Sequence, residues 1–384
     1  MTKKIHTFMT LMLFCAVSIA QTNISITPQA PQVDASSYIL MDYHSGRILA
    51  ENNKDLAVDP ASITKMMTAY VVFSELKAGT LSLTDMVTVS EKAWRTGGSK
   101  MFIEVNKQVS VDELIHGMII QSGNDACVAL AEHIAGSEEV FASMMNQHAN
   151  SLGMSDSHFE NATGLPSDNH KVTAKDVAVL GRAIIQQFPE WYPIFSQKEY
   201  TFSNIKQHNR NTLLWRDPTV DGFKTGHTEA AGYCLATSAM RNGMRLLNVV
   251  MGTESEKARA DETQKLINYG FRFFETHKLY NAGDERIKSE LWKGKEENLS
   301  IGLAEDLFIT IPKGQYDALE AKVDLPSLLT APIPKGTRLG QLRVELKGEL
   351  VAEVPLVALE EAVSGGWWTR TIDSMGLWFE GDDE

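Results

Sequence analysis

The chain has 384 residues, 43% apolar and 22% charged, enough for a buried core and for more than one domain. Its 36 Lys and Arg against 49 Asp and Glu leave a net charge of −13, which argues against a nucleic-acid binder, since phosphates need a cationic surface. Three cysteines are too few for a disulfide framework, and no run of 18 apolar residues is present to span a membrane.

Residues 1–20 read as a secretory signal. Lys3 and Lys4 precede an apolar stretch from Ile5 to Ala20, and Ser18 and Ala20 are the small residues needed for cleavage before Gln21. A short N-terminal anchor would show the same pattern, and either one exports the body of the protein. Removal of this segment leaves a net charge of −15 and two cysteines, Cys127 and Cys234, either paired or two buried thiols. Next, Tyr38-Ile-Leu-Met-Asp-Tyr43 and Arg47-Ile-Leu-Ala50 flank Ser45-Gly46 and predict a β-hairpin. Pro60 opens a helix that is apolar on every side through Phe73, the pattern of an element buried mid-domain. Further helices are predicted over 110–121, 124–135, 138–151, 173–187 and 257–275, and strands over 232–239 and 244–251. Helices covering a largely antiparallel sheet, an α/β (α+β) domain over 33–275, is the architecture that follows.

After His277 the pattern changes to short alternating runs such as Leu307-Phe-Ile-Thr-Ile311. Leu342–Leu346 and Leu350–Val354 flank the turn Lys347-Gly348-Glu349. Turn residues recur about every ten positions, which predicts a small all-β sandwich over 276–363. It holds no cluster of catalytic residue types and reads as a spacer or docking module. Ser364-Gly365-Gly366 is a flexible joint to the tail, 364–384. On a helix, Trp368, Ile372, Met375 and Phe379 form one apolar stripe, so residues 367–379 are expected to lie on a membrane surface. A helix docked on the protein's own core would carry a similar stripe. Four acids in the last five residues would keep any lipid contact mostly hydrophobic and weak.

The chemistry lies in three short motifs. Ser62 and Lys65, in Asp59-Pro-Ala-Ser-Ile-Thr-Lys65, stand at i and i+3 on one helix face. A serine hydroxyl is a poor nucleophile until its proton is removed, and a lysine amine removes it only when burial or nearby cations leave it neutral. Alone the pair means little, because Ser74-Glu-Leu-Lys77 and Ser203-Asn-Ile-Lys206 share the spacing. These two read as a solvated helix face and a loop. Ser122-Gly-Asn124 lies 60 residues after Ser62, and taken alone is a helix-capping turn. Lys224-Thr225-Gly226-His227 lies 102 residues further on, just before the strand near Tyr233, and taken alone is an ordinary turn. The three together in this order are much harder to assign to chance.

With these motifs the sequence resembles the penicillin-recognising serine peptidases. Within them it is similar to the low-molecular-mass D-alanyl-D-alanine carboxypeptidases. Leu213-Leu-Trp215, Gly270-Phe-Arg-Phe-Phe274, the export signal, the β-rich domain and the tail extend the likeness to nearly the full length. The resemblance implies a serine β-lactamase-like fold and a two-step acyl transfer. Ser62 would attack the carbonyl between two D-alanines of a peptidoglycan stem, Lys65 would take its proton, and Ser122 would relay a proton to the leaving amine. Asn124, Lys224, Thr225, Gly226, His227 and Arg210 would bind substrate, with the backbone N–H groups of Ser62 and His227 as the oxyanion hole. Lys224 is expected to be a fixed positive charge that draws the peptide carboxylate and helps keep Lys65 neutral.

No His-Glu-x-x-His, Cys-x-x-Cys or Walker loop is present, so neither metal nor cofactor is expected. The segment Thr96-Gly-Gly-Ser-Lys100 reads as a loop at the cleft rim. No Glu-x-x-Leu-Asn string lies between Asn124 and Lys224, so a weak β-lactamase is a lesser reading and penicillin is expected to acylate Ser62 and leave slowly. A DD-endopeptidase on cross-linked stems would use the same three motifs, and a non-hydrolytic wall-binding module could retain them. The expected location is the periplasmic face of the cytoplasmic membrane.

Overall fold

The computed structural model describes residues 27–368 and 371; the expected signal segment and the tail stripe beyond Trp368 lie outside them. The catalytic-type domain is built on one antiparallel sheet of β1 (Ser37–Asp42), β2 (Ile48–Asn52), β3 (Val220–Thr228), β4 (Gly232–Arg241) and β5 (Met244–Thr253), in the order β2-β1-β5-β4-β3. Alternation along β1 sends Ile39 and Met41 to one face and Tyr38 and Leu40 to the other. On the first face lie the helices α1 (Lys65–Ala78), α2 (Asn124–Ala135), α3 (Glu138–Ser151) and α4 (Ala174–Gln187). The second face is covered by α5 (Glu256–Phe273) through Ala260, Leu266 and Ile267.

Helix α1 is buried from Lys65 through Phe73, as a helix without a polar face must be. Serine or threonine caps open α3, α4 and α5, where Ser137, Thr173 and Ser255 accept from backbone N–H groups of the first turn. Three elements differ from the sequence expectation. The segment after Pro60 begins with a single 3-10 turn, Ala61–Thr64, before α1 starts at Lys65. The helix expected over 110–121 is α-helical only over Val111–His116 and widens into a π turn at Gly117–Gln121. Lys224-Thr225-Gly226 is not a turn ahead of a strand but lies inside β3. That strand is buried on both sides over Gly222–Gly226, so no polar–apolar alternation marks it in the sequence.

The two other Ser-x-x-Lys matches lie late in a helix, where Ser74 is half-buried, and in a hairpin turn. Ser74 sits late in α1 and donates to Tyr70 O, while Ser203 and Asn204 are the left-handed pair that closes a two-residue hairpin between Glu199–Phe202 and Ile205–His208.

The second domain follows without a linker, α5 ending at Phe273 and the next strand starting at Phe274. A two-stranded pair (Phe274–Tyr280 with Leu307–Pro312) accompanies a five-stranded antiparallel sheet drawn from residues 285–358. Leu299, Ile301, Ile309, Ile311, Val344 and Leu356 fill its core. The turn Lys347-Gly348, both residues at positive φ, joins the two longest strands of this sheet. The β1–β2 turn joins the domains: Thr276 Oγ1 donates to Asp42 Oδ2 at 2.7 Å, Arg47 donates to Thr310 O at 2.6 Å, and His44 stacks on Phe308.

Candidate active site

Proline at 60 and the tight turn after it place Ser62, half-buried, beside β3 and at the head of α1. Two glycines allow this. A Cβ at Gly226 would stand 2.9 Å from Pro60 O, so only glycine lets β3 pass over the serine turn. Gly164, at φ +81°, packs from the other side, where a Cβ would collide with Ala61 O. Between them Ala61 is held at φ +46°, a left-handed conformation that an alanine rarely adopts and that immediately precedes the serine.

Lys65 is fully buried, and its Nζ lies 2.9 Å from Ser62 Oγ, 2.7 Å from Asn124 Oδ1 and 2.6 Å from Thr163 O. Burial pushes its pKa down, as does the positive charge of Arg210, while the nearby Cys127 thiol and the Asp125 carboxylate oppose the shift. Two of its three partners are carbonyl oxygens that can only accept. A neutral amine meets them with its two N–H groups and turns its lone pair to the remaining partner, the Ser62 hydroxyl. In that arrangement the 2.9 Å contact is short enough for the serine proton to pass to nitrogen.

Ser122 follows the π turn directly, buried at φ +68°, and two residues later Asn124 opens α2. Asn124 is tied on three sides: Oδ1 to Lys65, Nδ2 to Gly97 O at 2.7 Å, and its backbone N–H to Ser99 O at 2.7 Å. The rim segment 96–100 is thereby fixed against the second motif.

Lys224 joins the same site from β3 and is also buried, with Thr225 O at 3.4 Å as its hydrogen-bond acceptor. Burial, followed by the charges of Lys65 and Arg210, drives its pKa well below the ordinary lysine range. That differs from the expectation of a permanent cation. The acceptor set of Lys224 is poorer than that of Lys65, and an arriving carboxylate would stabilise its charged form. Arg210 is exposed between the buried Asn209 and Asn211, close enough for its charge to act on both lysines. Thr225 and Gly226 are buried in β3, which is an edge strand, and the His227 ring stacks on Tyr233 at 3.9 Å. The site thus gathers basic side chains in a chain of net charge −13. Among the described residues no group of His, Cys, Asp or Glu is arranged to hold a metal. Cys127 and Cys234 are both buried and unbonded, and burial pushes their thiols up to about 12 and about 11, which leaves them unreactive.

A family model described as D-alanyl-D-alanine carboxypeptidase matches residues 24–255, and a second, the C-terminal domain of penicillin-binding protein 5, matches 274–364. The chain belongs to the D-alanyl-D-alanine carboxypeptidase family. The D-alanyl-D-alanine carboxypeptidase DacA of Escherichia coli strain K12 is 44% identical over 92% of this chain and 90% of its own. A crystal structure of penicillin binding protein 5 from Haemophilus influenzae superposes with a TM-score of 0.85 at 44% identity, covering 88% of this chain and all of that one. A D-alanyl-D-alanine endopeptidase of Escherichia coli strain K12 is 31% identical over 62% of this chain and 77% of its own.

Several residues of this carboxypeptidase-family site escaped the sequence reading. Arg259, buried on α5, donates to Arg210 O at 3.4 Å and lies over the Tyr233 ring, adding a second guanidinium beside Lys224. Its neighbours in sequence are those of a solvated helix face, so nothing local marks it. Thr163 contributes through a backbone carbonyl, which leaves no trace in residue type.

His170 clamps the 159–171 segment to the serine turn: its Nε2 lies 2.9 Å from Thr64 Oγ1 and its Nδ1 accepts from Glu160 N at 3.3 Å. Burial lowers its pKa from 6.5 to about 4, so the folded protein holds it neutral while the unfolded chain protonates it first. Stability from this group is therefore intact above pH 6.5 and falls as pH drops to 4, by about 3 kcal/mol in all. In urea titrations at pH 7 and pH 4, His170→Gln is expected to lose that much less stability than wild type across the interval. Equal losses would show that His170 does not carry the effect.

Proposed function

We propose that this protein removes the terminal D-alanine from peptidoglycan pentapeptide stems through an acyl-serine intermediate. The observation that carries the reading is the Lys65 amine, fully buried, with two carbonyl acceptors and the Ser62 hydroxyl as its three partners. Ser62 Oγ attacks the penultimate carbonyl carbon while its proton passes to Lys65 Nζ, forming a tetrahedral oxyanion held by the backbone N–H groups of Ser62 and His227. The C–N bond then breaks. Lys65 returns the proton by way of Ser122 to the leaving nitrogen, and D-alanine departs. Water repeats the sequence on the ester and frees the shortened stem. Lys224, Thr225, Arg210 and Arg259 receive the terminal carboxylate, the charge that the cationic cleft is built to balance, while Asn124 and the β3 edge around Gly226 align the peptide.

Penicillin presents a strained amide to the same serine. Without a glutamate-activated water in the family's β-lactamase position, its ester is expected to persist for many minutes. Free D-alanine release from a pentapeptide stem, and retention of labelled penicillin, are therefore expected of wild type and absent from Ser62→Ala. Equal inactivity of both proteins would favour a non-hydrolytic wall-binding module, and rapid penicillin turnover would favour a β-lactamase. The endopeptidase reading is not favoured, since the relative of that name is less similar and covers less of the chain. A free terminal D-alanine among the products separates the two.

We also propose export and peripheral attachment to the outer face of the cytoplasmic membrane through residues 367–379. Trp367 and Trp368 support this, being helical and 68% and 72% exposed where the chain leaves the second domain. A protein truncated after Gly365 keeps the Gly365 N–H to Lys293 O bond that closes that domain. It is expected to be soluble and fully active, and sedimentation of the truncated form with phospholipid vesicles would refute the attachment.

A further inference from the structure

Asp125 follows Asn124 at the start of α2 and is 1% exposed. Its Oδ1 accepts from Met101 N and Ala126 N, both at 3.0 Å, and its Oδ2 from Phe102 N at 2.9 Å and Ile103 N at 3.3 Å. No lysine, arginine or histidine among the described residues forms an ion pair with it. Four backbone N–H groups solvate the carboxylate instead, three of them from consecutive residues of the cleft rim.

Turning consecutive amides toward one group has a backbone cost. Phe102 sits at φ +72°, a left-handed conformation that a non-glycine residue rarely adopts. What the carboxylate gains by holding it there is the placement of the second motif. The rim runs back from Met101 to Ser99 O and Gly97 O, which hold the Asn124 backbone and side-chain N–H groups. With Nδ2 engaged by Gly97 O, the Asn124 amide has one orientation, and its Oδ1 faces Lys65 Nζ. On the other side Met101 packs so closely against Gly117 that a Cβ there would collide with its Sδ, which fixes the π turn leading to Ser122. Both polar side chains of the motif are thus set from one anchored segment.

We propose that Asp125 is a positioning residue for acyl transfer, which clamps the rim 97–103 so that Asn124 directs the Lys65 lone pair at Ser62. The inference rests on the acyl-transfer reading above. The titratable groups facing Lys65 are Arg210 from the mouth, the Lys224 amine from β3, and the Cys127 thiol and the Asp125 carboxylate from α2, and of these the Asp125 carboxylate is the anion that favours the ammonium. Loss of that carboxylate should therefore do two separable things: loosen the amide that aims the base, and let Lys65 lose its proton at lower pH.

The test is the acylation rate of the full chain by labelled penicillin from pH 5 to 10, normalised to the titrated serine, for wild type, Asp125→Asn and Asp125→Glu. Asp125→Asn is expected to acylate on the order of 100-fold more slowly, with the acid limb moved to lower pH. Asp125→Glu, which keeps the charge but displaces the rim by a methylene, should be slowed with its acid limb unmoved. A loss of melting temperature with the rate per serine and the acid limb both unchanged would overturn the inference. If Asp125→Asn does not fold, Asp125→Glu decides alone, and acylation at the wild-type rate overturns it. Wild type that fails to acylate would instead sink the acyl-transfer reading itself.

Discussion

Lys65→Arg is expected to lose acylation by penicillin and release of D-alanine by about 10³- to 10⁴-fold, the upper part of what a general base supplies. The variant keeps a cation beside Ser62 and so separates charge from basicity. A guanidinium remains protonated at any working pH and cannot take the serine proton. It is also larger than the amine at a position that is fully buried, so its melting temperature should be recorded alongside the rate. In wild type the acid limb of kcat/KM should lie below the ordinary lysine range near 10.5, because burial and the Arg210 charge outweigh the opposing Asp125 carboxylate. Retention of more than about a tenth of wild-type acylation by a folded Lys65→Arg would remove Lys65 from the role of base.

Lys224→Ala should act on a different part of the reaction. The loss of a buried, charge-assisted contact to the terminal carboxylate costs about 3 kcal/mol, on the order of 100-fold in kcat/KM for a peptide stem. The diagnostic comparison is a stem whose terminal carboxylate has been amidated. Wild type should discriminate strongly against the amide, and Lys224→Ala should discriminate far less, because the partner of that carboxylate is gone. Arg210 and Arg259 stay in the cleft, so some preference for the free acid should survive. Equal discrimination by both proteins would show that the carboxylate lies elsewhere.

Both variants rest on residues that belong to the three sequence motifs. Ser62 and Lys65 are legible because their pair follows a proline at the head of an apolar stretch and is accompanied, in order, by Ser122-Gly-Asn124 and Lys224-Thr-Gly226. The elements were legible to the same degree. Helices over 124–135 and 138–151 match the observed α2 and α3, since caps and periodicity are local properties of the chain. Where burial is two-sided, as in β3, alternation vanishes, and the Lys-Thr-Gly motif reads as a turn although it lies in a strand.

By itself, then, the sequence determined the three motifs, the order in which they occur and the kind of domain that carries them. Only the tertiary structure decided what surrounds them. Thr163 reaches Lys65 through a carbonyl oxygen 98 positions away, Arg259 comes from a helix that looks solvated, and Asp125 works by collecting backbone N–H groups from residues 101–103. Contacts of this sort depend on the path of the main chain between distant segments, and every residue concerned carries the same carbonyl and N–H. Residue type therefore announces a nucleophile and its base, but the protonation state of that base is a property of the folded cavity.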